Sequence, residues 1–132
     1  MYTKKSTVWC KTETTSGTDV TPAATNAVMA FDIDLSIKGD MKERYPGTAD
    51  RSQYANIRGK TNCELKFKVE LKGSGTLAIE PQWGPLIRAS DRACTTVAAT
   101  SVAYTPAATS QTCTIWVNID GILHKMLGCA GD

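Results

Sequence analysis

The sequence is poor in the residue types from which most enzymatic and metal sites are built. Its 132 residues include a single histidine, and its five cysteines are dispersed, with no two at CxxC spacing. Fifteen basic residues nearly balance 13 acidic ones, so the concentrated basic charge of a non-specific DNA-binding protein is missing. We therefore expect no enzymatic activity, no catalytic residues, no cofactor and no metal ligands.

Long apolar runs are also missing. No segment approaches the roughly 18 apolar residues of a bilayer-spanning helix, and the first lysines are not followed by the apolar stretch of a secretory signal. We expect no membrane contact, and assembly in a cytoplasm that keeps the thiols reduced, with buried cysteines packing as small hydrophobic side chains. The length suits a single domain over residues 1–132 with its own core.

What the sequence does contain is a two-residue alternation. In Phe31–Lys38 and Cys63–Lys72, apolar side chains alternate with charged or polar ones. Because a strand points successive side chains to opposite faces, each segment is predicted to bury one face and expose the other. Val97–Thr105 is a weaker strand candidate that Pro106 ends. The alternation predicts a mainly β fold.

The carboxyl-terminal region predicts a β-hairpin. Thr112–Ile119 and Ile122–Leu127 flank Asp120-Gly121, which favours a type I′ turn because both turn positions need positive φ. The predicted cross-strand pairs are Ile119 with Ile122, Val117 with His124, Ile115 with Met126, Trp116 with Lys125, and Asn118 with Leu123. The Trp116–Lys125 pair predicts a cation–π contact. On the apolar face, His124 is predicted to be a core residue hydrogen-bonded to a neighbour.

Helix is predicted only in short pieces. Pro85–Arg92 suits about two turns that start near Trp83 or Gly84, since proline is favourable in the first turn. Ala23–Ala30 is a second candidate for a short turn. Residues 1–25 are predicted to form an amino-terminal arm, because Thr12–Thr25 is rich in threonine, glycine, serine and proline.

The segment between the two best strands, Gly39–Asn62, is predicted to be a long loop. Connections of this length are usually functional or disordered. Tyrosines among charged residues are typical of protein interfaces, and a plain solvated loop is the alternative interpretation. The candidate inter-subunit contacts are Lys42, Glu43, Arg44, Tyr45, Arg51, Tyr54, Arg58 and Lys60.

Four segments resemble the amino-terminal half of the tail tube, or major tail, protein family of long-tailed phages and Mu-like prophages. The most specific pieces are VELKGSGT followed by WGPLIRA, and the terminal NIDGILHKMLG. The resemblance implies a β-sandwich or barrel-like tail tube fold with one short flanking helix and a long loop. The resembling segments are Lys11–Ala24, Phe67–Ala89, Ser101–Pro106 and Thr114–Gly131.

The resemblance also implies a structural role in the virion tail. Subunits of this family assemble in the host bacterial cytoplasm into stacked, commonly hexameric rings that form the conduit for DNA ejection. The implied partners are the chain itself, other phage tail proteins, and DNA that passes without sequence-specific binding. Gly39–Asn62 would then reach a neighbouring subunit or ring, and Pro85–Arg92 would pack outside the sheet.

Two alternatives stay open at this point. Members of that family are about twice as long, so strands that complete a tube-type sheet are expected to be missing. The chain would then suit another virion component, such as a head–tail connector, a tail-tip ring or a capsid decoration protein. An alternative from a different class is a small binding module or hydrolase with a cysteine–histidine site at His124.

Overall fold

The computed structural model describes residues 5–47 and 54–131, and it confirms the predicted mainly β fold. Strands account for 51% of the described residues and helix for only 7%, so strand pairing holds the chain together. No sheet closes into a barrel within these residues. The elements are β1 (Ser6–Thr12), a 3₁₀ turn (Ala24–Asn26), β2 (Ala27–Val28), β3 (Ala30–Lys42), β4 (Ile57–Val69), α1 (Gly84–Arg88), β5 (Arg92–Val97), β6 (Ser101–Pro106), β7 (Cys113–Ile119) and β8 (Ile122–Cys129).

The strands form three separate sheets. One has four strands in the order β2-β1-β7-β8, and the other two are the pairs β3–β4 and β5–β6. A single domain was predicted, but the chain divides into two compact units. The larger unit contains residues 1–33 and 67–132, and the smaller unit contains residues 34–66, which include most of the β3–β4 ribbon.

The core of the larger unit lies on one face of the four-stranded sheet. Val8 lies opposite Val117, and both side chains are fully buried. Cys10 lies opposite Ile115 on the same face and is equally buried. Full burial of an aliphatic side chain contributes roughly 1.5–3 kcal/mol, so the residues buried along the β1–β7 pairing stabilise this unit.

The prediction of an amino-terminal arm over residues 1–25 is wrong for its middle part. Ser6–Thr12 is strand β1, which lies between β2 and β7 in the four-stranded sheet. Only Val8 and Cys10 mark the apolar face of this strand, and two positions are too few to show an alternation. The prediction of a short turn within Ala23–Ala30 is confirmed at Ala24–Asn26.

The β7–β8 hairpin follows the predicted register at all five predicted pairs. Asp120 and Gly121 have φ values of 53° and 86°, as a type I′ turn requires. The Lys125 Nζ atom lies 4.1 Å from the centroid of the Trp116 ring, which confirms the cation–π contact. Beyond these pairs, a β-bulge shifts the register so that Cys113 pairs with Cys129.

The bulge on β8 lies at Gly128, whose N–H donates to the buried carboxylate of Glu13. This carboxylate was not identified from the sequence. Glu13 is only 7% exposed and accepts four hydrogen bonds. Burial alone raises a carboxyl pKa, but these hydrogen bonds hold the pKa of Glu13 below its usual value. The donors are Gly128 N at 2.8 Å and Thr114 Oγ1 at 2.8 Å to Oε1, and Gly17 N at 2.8 Å and Thr112 Oγ1 at 2.6 Å to Oε2.

The predicted loop over Gly39–Asn62 is wrong at both ends. β3 continues to Lys42 and β4 begins at Ile57, so the connection between the strands is residues 43–56. The charged residues at these ends are part of an exposed strand face, and their polarity therefore did not indicate a loop. β4 also ends at Val69, before the predicted end at Lys72.

The helix and the weaker strand also differ from their predicted bounds. α1 starts after Trp83 as predicted, but it ends at Arg88 rather than Arg92. Asp91, with a φ of 57°, turns the chain directly into β5. The strand predicted over Val97–Thr105 is instead a turn and strand β6, because Ala99, with a φ of 52°, reverses the chain.

Candidate assembly surface

The predicted contact residues lie on an exposed surface of the smaller unit. Lys42 ends β3, Arg58 and Lys60 belong to β4, and all three are exposed. The connection contributes four further exposed residues, and Arg51 lies outside the described residues. These four are Glu43, Arg44, Tyr45 and Tyr54.

A hydrogen bond joins two of the described members of this set. The hydroxyl of Tyr45 donates to the Glu43 carboxylate, and this hydrogen bond raises the pKa of Tyr45. Arg58 Nε donates to Thr61 Oγ1 at 3.3 Å, a residue outside the predicted set. The Tyr45 side chain is 81% exposed. The set is therefore an open polar surface around the end of the ribbon and not a preformed pocket.

One face of the ribbon is charged. Lys38 Nζ lies 2.7 Å from one Glu64 oxygen, and Lys66 Nζ lies 2.9 Å from the other. Hydrogen bonds from Lys38 and Lys66, together with their charges, lower the pKa of Glu64 to about 2. Exposed ion pairs of this kind contribute little stability. They also show that Lys38, Glu64 and Lys66 lie on one face of the ribbon.

The opposite face of β3 is apolar and uncovered. Ile37 and Met41 point away from Lys38, and they are 64% and 63% exposed. We call these two residues the ribbon apolar face. They were not among the contact residues that the sequence predicted, although the alternation that begins at Phe31 continues across Gly39 to Met41.

Both strands of the ribbon also leave backbone groups to be paired. Each has 13 residues, and within the described part of the chain each pairs with the other strand alone. An isolated two-stranded ribbon is marginally stable in water. An open strand edge is in addition a template for pairing with another chain. The ribbon therefore combines two features that further protein would complete.

A second uncovered surface lies in the larger unit. It is an open groove of ≈ 690 Å³ whose lining comes from residues 25–29 and 70–83. Met29, Leu71 and Ile79 supply apolar surface at 64%, 75% and 55% exposure. The side chain of Trp83 forms part of the wall, and its Nε1 donates to the Lys72 carbonyl at 2.8 Å.

The wall of this groove is held by buried polar contacts. Glu80 accepts hydrogen bonds from Arg88 Nη2 at 2.5 Å and from the Tyr104 hydroxyl at 3.2 Å. The rings of Trp83 and Tyr104 lie 5.8 Å apart, tilted by 36°. Burial, then the Glu80 charge, raises the pKa of Tyr104. Arg88 is also hydrogen-bonded to Cys94, whereas its Nε has no partner among the described residues.

The residue considered for a cysteine–histidine site is His124 on β8. His124 lies opposite Val117 as predicted, but its Nε2 is buried without a hydrogen-bond partner in the described residues. The hydrogen bond predicted for this histidine therefore does not involve Nε2. Across residues 5–47 and 54–131, no three His, Cys, Asp or Glu side chains are grouped so that they could hold a metal ion.

The two surfaces described above, the ribbon and the groove, are both exposed and partly apolar. Within the described ranges, no helix has the length and apolar character needed to cross a membrane. Comparisons with protein-family models, with curated proteins and with solved structures found no match to this chain.

Proposed function

We propose that this chain is a structural virion protein, a subunit of a phage tail tube that self-assembles into stacked, hexameric rings. The rings form the conduit for DNA ejection, and they are assembled in the host bacterial cytoplasm. The observation that carries the proposal is the β3–β4 ribbon, whose apolar face and strand edges are not covered by the described chain. The four sequence segments that resemble tail tube proteins support the specific role.

Ring assembly would cover the open strand edges of the ribbon. Strand edges that pair across subunits are no longer exposed. A contact between two different surfaces of the same protein closes into a ring when its rotation permits. The ribbon apolar face and the groove beside Trp83 are two such surfaces. We assign the ribbon of one copy to the groove of the next copy.

The small binding free energy expected for one such contact favours a closed ring over a dimer. Covering Ile37 and Met41, which are 64% and 63% exposed, contributes roughly 1–2 kcal/mol each from apolar burial. Losing free translation and rotation costs about 4–15 kcal/mol. A single contact is therefore weak. In a ring each subunit makes two contacts, and strand pairing adds backbone hydrogen bonds.

The charge of the chain suits a DNA conduit. A lumen through which DNA slides must not bind phosphates tightly, and tight binding needs many lysines and arginines on one face. The net charge is +2, from 15 basic and 13 acidic residues. On the ribbon, Glu64 moreover offsets part of the positive charge of Lys38 and Lys66. DNA would pass this surface without sequence-specific contacts.

Sedimentation velocity of the purified chain and of matched variants tests the assignment. Ile37→Lys places a charge on the ribbon apolar face, whereas Asn62→Lys places the same charge on the charged face of the ribbon. Leu71→Lys alters the groove, and Leu77→Lys alters an equally exposed leucine that does not line it. We expect Ile37→Lys and Leu71→Lys to abolish oligomers and the two controls to keep them.

The opposite pattern would refute the assignment. If Ile37→Lys and Leu71→Lys assemble as well as Asn62→Lys and Leu77→Lys, the ribbon and the groove are not the contacting surfaces. If the unaltered chain forms single rings that never stack, another virion component such as a connector is the better interpretation.

A further inference from the structure

Three of the five cysteines lie side by side on the core face of the four-stranded sheet. Cys10 is on β1, Cys113 on β7 and Cys129 on β8, which are adjacent strands. Cys113 lies directly opposite Cys129, whereas Cys10 lies opposite Ile115, two residues along β7 from Cys113. None of the three forms a disulfide in this reduced structure.

Strand geometry decides which pair can be bridged. Directly opposed residues of antiparallel strands have Cα atoms about 4.5 or 5.5 Å apart. Both values lie within the roughly 4.4–6.8 Å that a disulfide requires. Diagonal neighbours such as Cys10 and Cys113 lie about 7–8 Å apart, with somewhat shorter Cβ–Cβ distances. Opposed residues have Cβ atoms about 4.5–5.5 Å apart, which is nearer the roughly 3.5–4.5 Å of a disulfide. Cys113 and Cys129 are therefore the pair whose register best suits a disulfide.

The Cys10 thiol lowers the pKa of Cys113 and so favours its reactive thiolate form. Cys10 is fully buried and hydrogen-bonded to Cys113. This hydrogen bond raises the pKa of Cys10 and lowers the pKa of Cys113, because Cys10 keeps its proton and donates it to the Cys113 sulfur. Burial and the nearby Glu13 charge act on Cys113 in the other direction. Cys129 is partly exposed, on the edge strand β8.

We propose that Cys113 and Cys129 are an oxidative cross-linking site that fastens β8 to β7, with Cys10 as its positioning residue. The oxidant is a low-molecular-weight disulfide such as oxidised glutathione. The Cys129 thiolate attacks it, forms a mixed disulfide and releases one glutathione. The Cys113 thiolate then attacks the Cys129 sulfur and releases the second glutathione. The two thiols lose two protons and two electrons, and oxidised glutathione takes up both.

The cross-link would respond to the compartment of the protein. A reducing cytoplasm keeps the two thiols reduced, and an oxidising medium outside the cell allows the disulfide to form. The link closes the segment from Cys113 to Cys129, which contains the whole β7–β8 hairpin, and it fixes an edge strand. The cross-link lies within a single chain, so its test does not depend on the proposed role in a tail.

Peptide mapping of the oxidised full chain tests the pairing. The Cys63→Ser variant removes an exposed thiol that would couple separate chains. The folded protein is equilibrated in glutathione buffers of rising oxidised fraction, alkylated, and cleaved with trypsin and chymotrypsin. Cleavage after Lys125 and Tyr104 separates Cys94, Cys113 and Cys129 onto different peptides, which mass spectrometry identifies.

We expect a Cys113–Cys129 linked peptide as the main product, with Cys10 recovered in alkylated form. The oxidised protein should melt at a higher temperature, and reductant should reverse that shift. A main product that links Cys10 to another cysteine would overturn the proposal. So would the absence of any link after full oxidation of the exposed thiols.

A matched pair of variants tests the role of Cys10. Cys10→Ser keeps a hydrogen-bond donor, whereas Cys10→Ala removes it. Each unit by which the pKa of Cys113 rises should slow closure of the disulfide roughly threefold near neutral pH, since the lost thiolate is half offset by higher nucleophilicity. We expect slow closure and a pH profile displaced to higher pH for Cys10→Ala only. Equal rates and profiles in all three proteins would remove Cys10 from the mechanism.

Discussion

Replacing Glu13 with glutamine removes the buried carboxylate that joins the turn after β1 to β7 and β8. Each carboxylate oxygen accepts one backbone N–H and one threonine hydroxyl. A threonine hydroxyl can rotate and accept a hydrogen bond, but a backbone N–H cannot. Whichever way the glutamine amide is turned, its NH₂ group therefore faces the N–H of either Gly17 or Gly128.

The backbone N–H that faces the glutamine NH₂ determines how much stability the variant loses. Hydrogen bonds to charged groups contribute about 1.5–3 kcal/mol, and a buried donor left unsatisfied costs about 1–3 kcal/mol. Glu13→Gln loses one such bond and leaves one backbone N–H without an acceptor. We expect the free energy of unfolding to fall by about 2.5–6 kcal/mol at neutral pH, the sum of these two costs.

Urea unfolding at pH 7 measures this difference. Glu70→Gln is the matched control, because Glu70 is exposed, and surface changes of this kind usually stay within about 0.5 kcal/mol. The variant and the control carry the same change of net charge. A loss below about 0.5 kcal/mol for Glu13→Gln would refute the account of the Glu13 hydrogen bonds.

The effect also has a defined pH dependence. The pKa of Glu13 in the folded chain lies below its ordinary value of 4.5. The carboxylate therefore contributes stability that is fully present above pH 4.5 and is lost as the pH falls through the folded pKa. The stability gap between the wild type and Glu13→Gln should narrow on acidification below pH 4.5. A gap that stays constant would contradict the assignment.

Three further substitutions test the larger unit, each by the midpoint of thermal or urea unfolding. Gly84→Ala would place a Cβ 2.3 Å from Glu80 Oε1, and displacing that side chain should cost about 1–3 kcal/mol; an unchanged midpoint would contradict this. Gly128→Ala puts a side chain at a φ of +64°, for which we expect a loss of about 1–2 kcal/mol. Lys125→Met removes the cation over the Trp116 ring and should cost about 0.5–1 kcal/mol, with less effect in a Trp116→Leu background.

The parts of the fold that follow from local chemistry were predicted well. Asp120-Gly121 sets its own turn type, and that turn fixes the register of β7 and β8 as far as Ile115. The bulge at Gly128 was not predicted, because its N–H is drawn toward Glu13, a residue 115 positions away in the sequence. Long-range contacts of this kind leave no local pattern.

Other features were missed because the residues that form them are atypical. Ala99 and Asp91 adopt positive φ without being glycine, so the turns that bound β5 carry no sequence signal. The candidate contact surface in the segment between the two strong strands stays a prediction. It was chosen for its charged residues and tyrosines, whereas the structure shows that Ile37 and Met41 of β3 are exposed apolar side chains.

The central claim is that the open ribbon is completed by identical neighbours. Negative-stain imaging of the purified, unaltered full chain, combined with its mass from light scattering at rising concentration, tests this most directly. The account predicts rings and stacked tubes whose mass is a multiple of the 14.2 kDa chain. A scattering mass that stays at 14.2 kDa at every concentration, with no ring in any image, would contradict it.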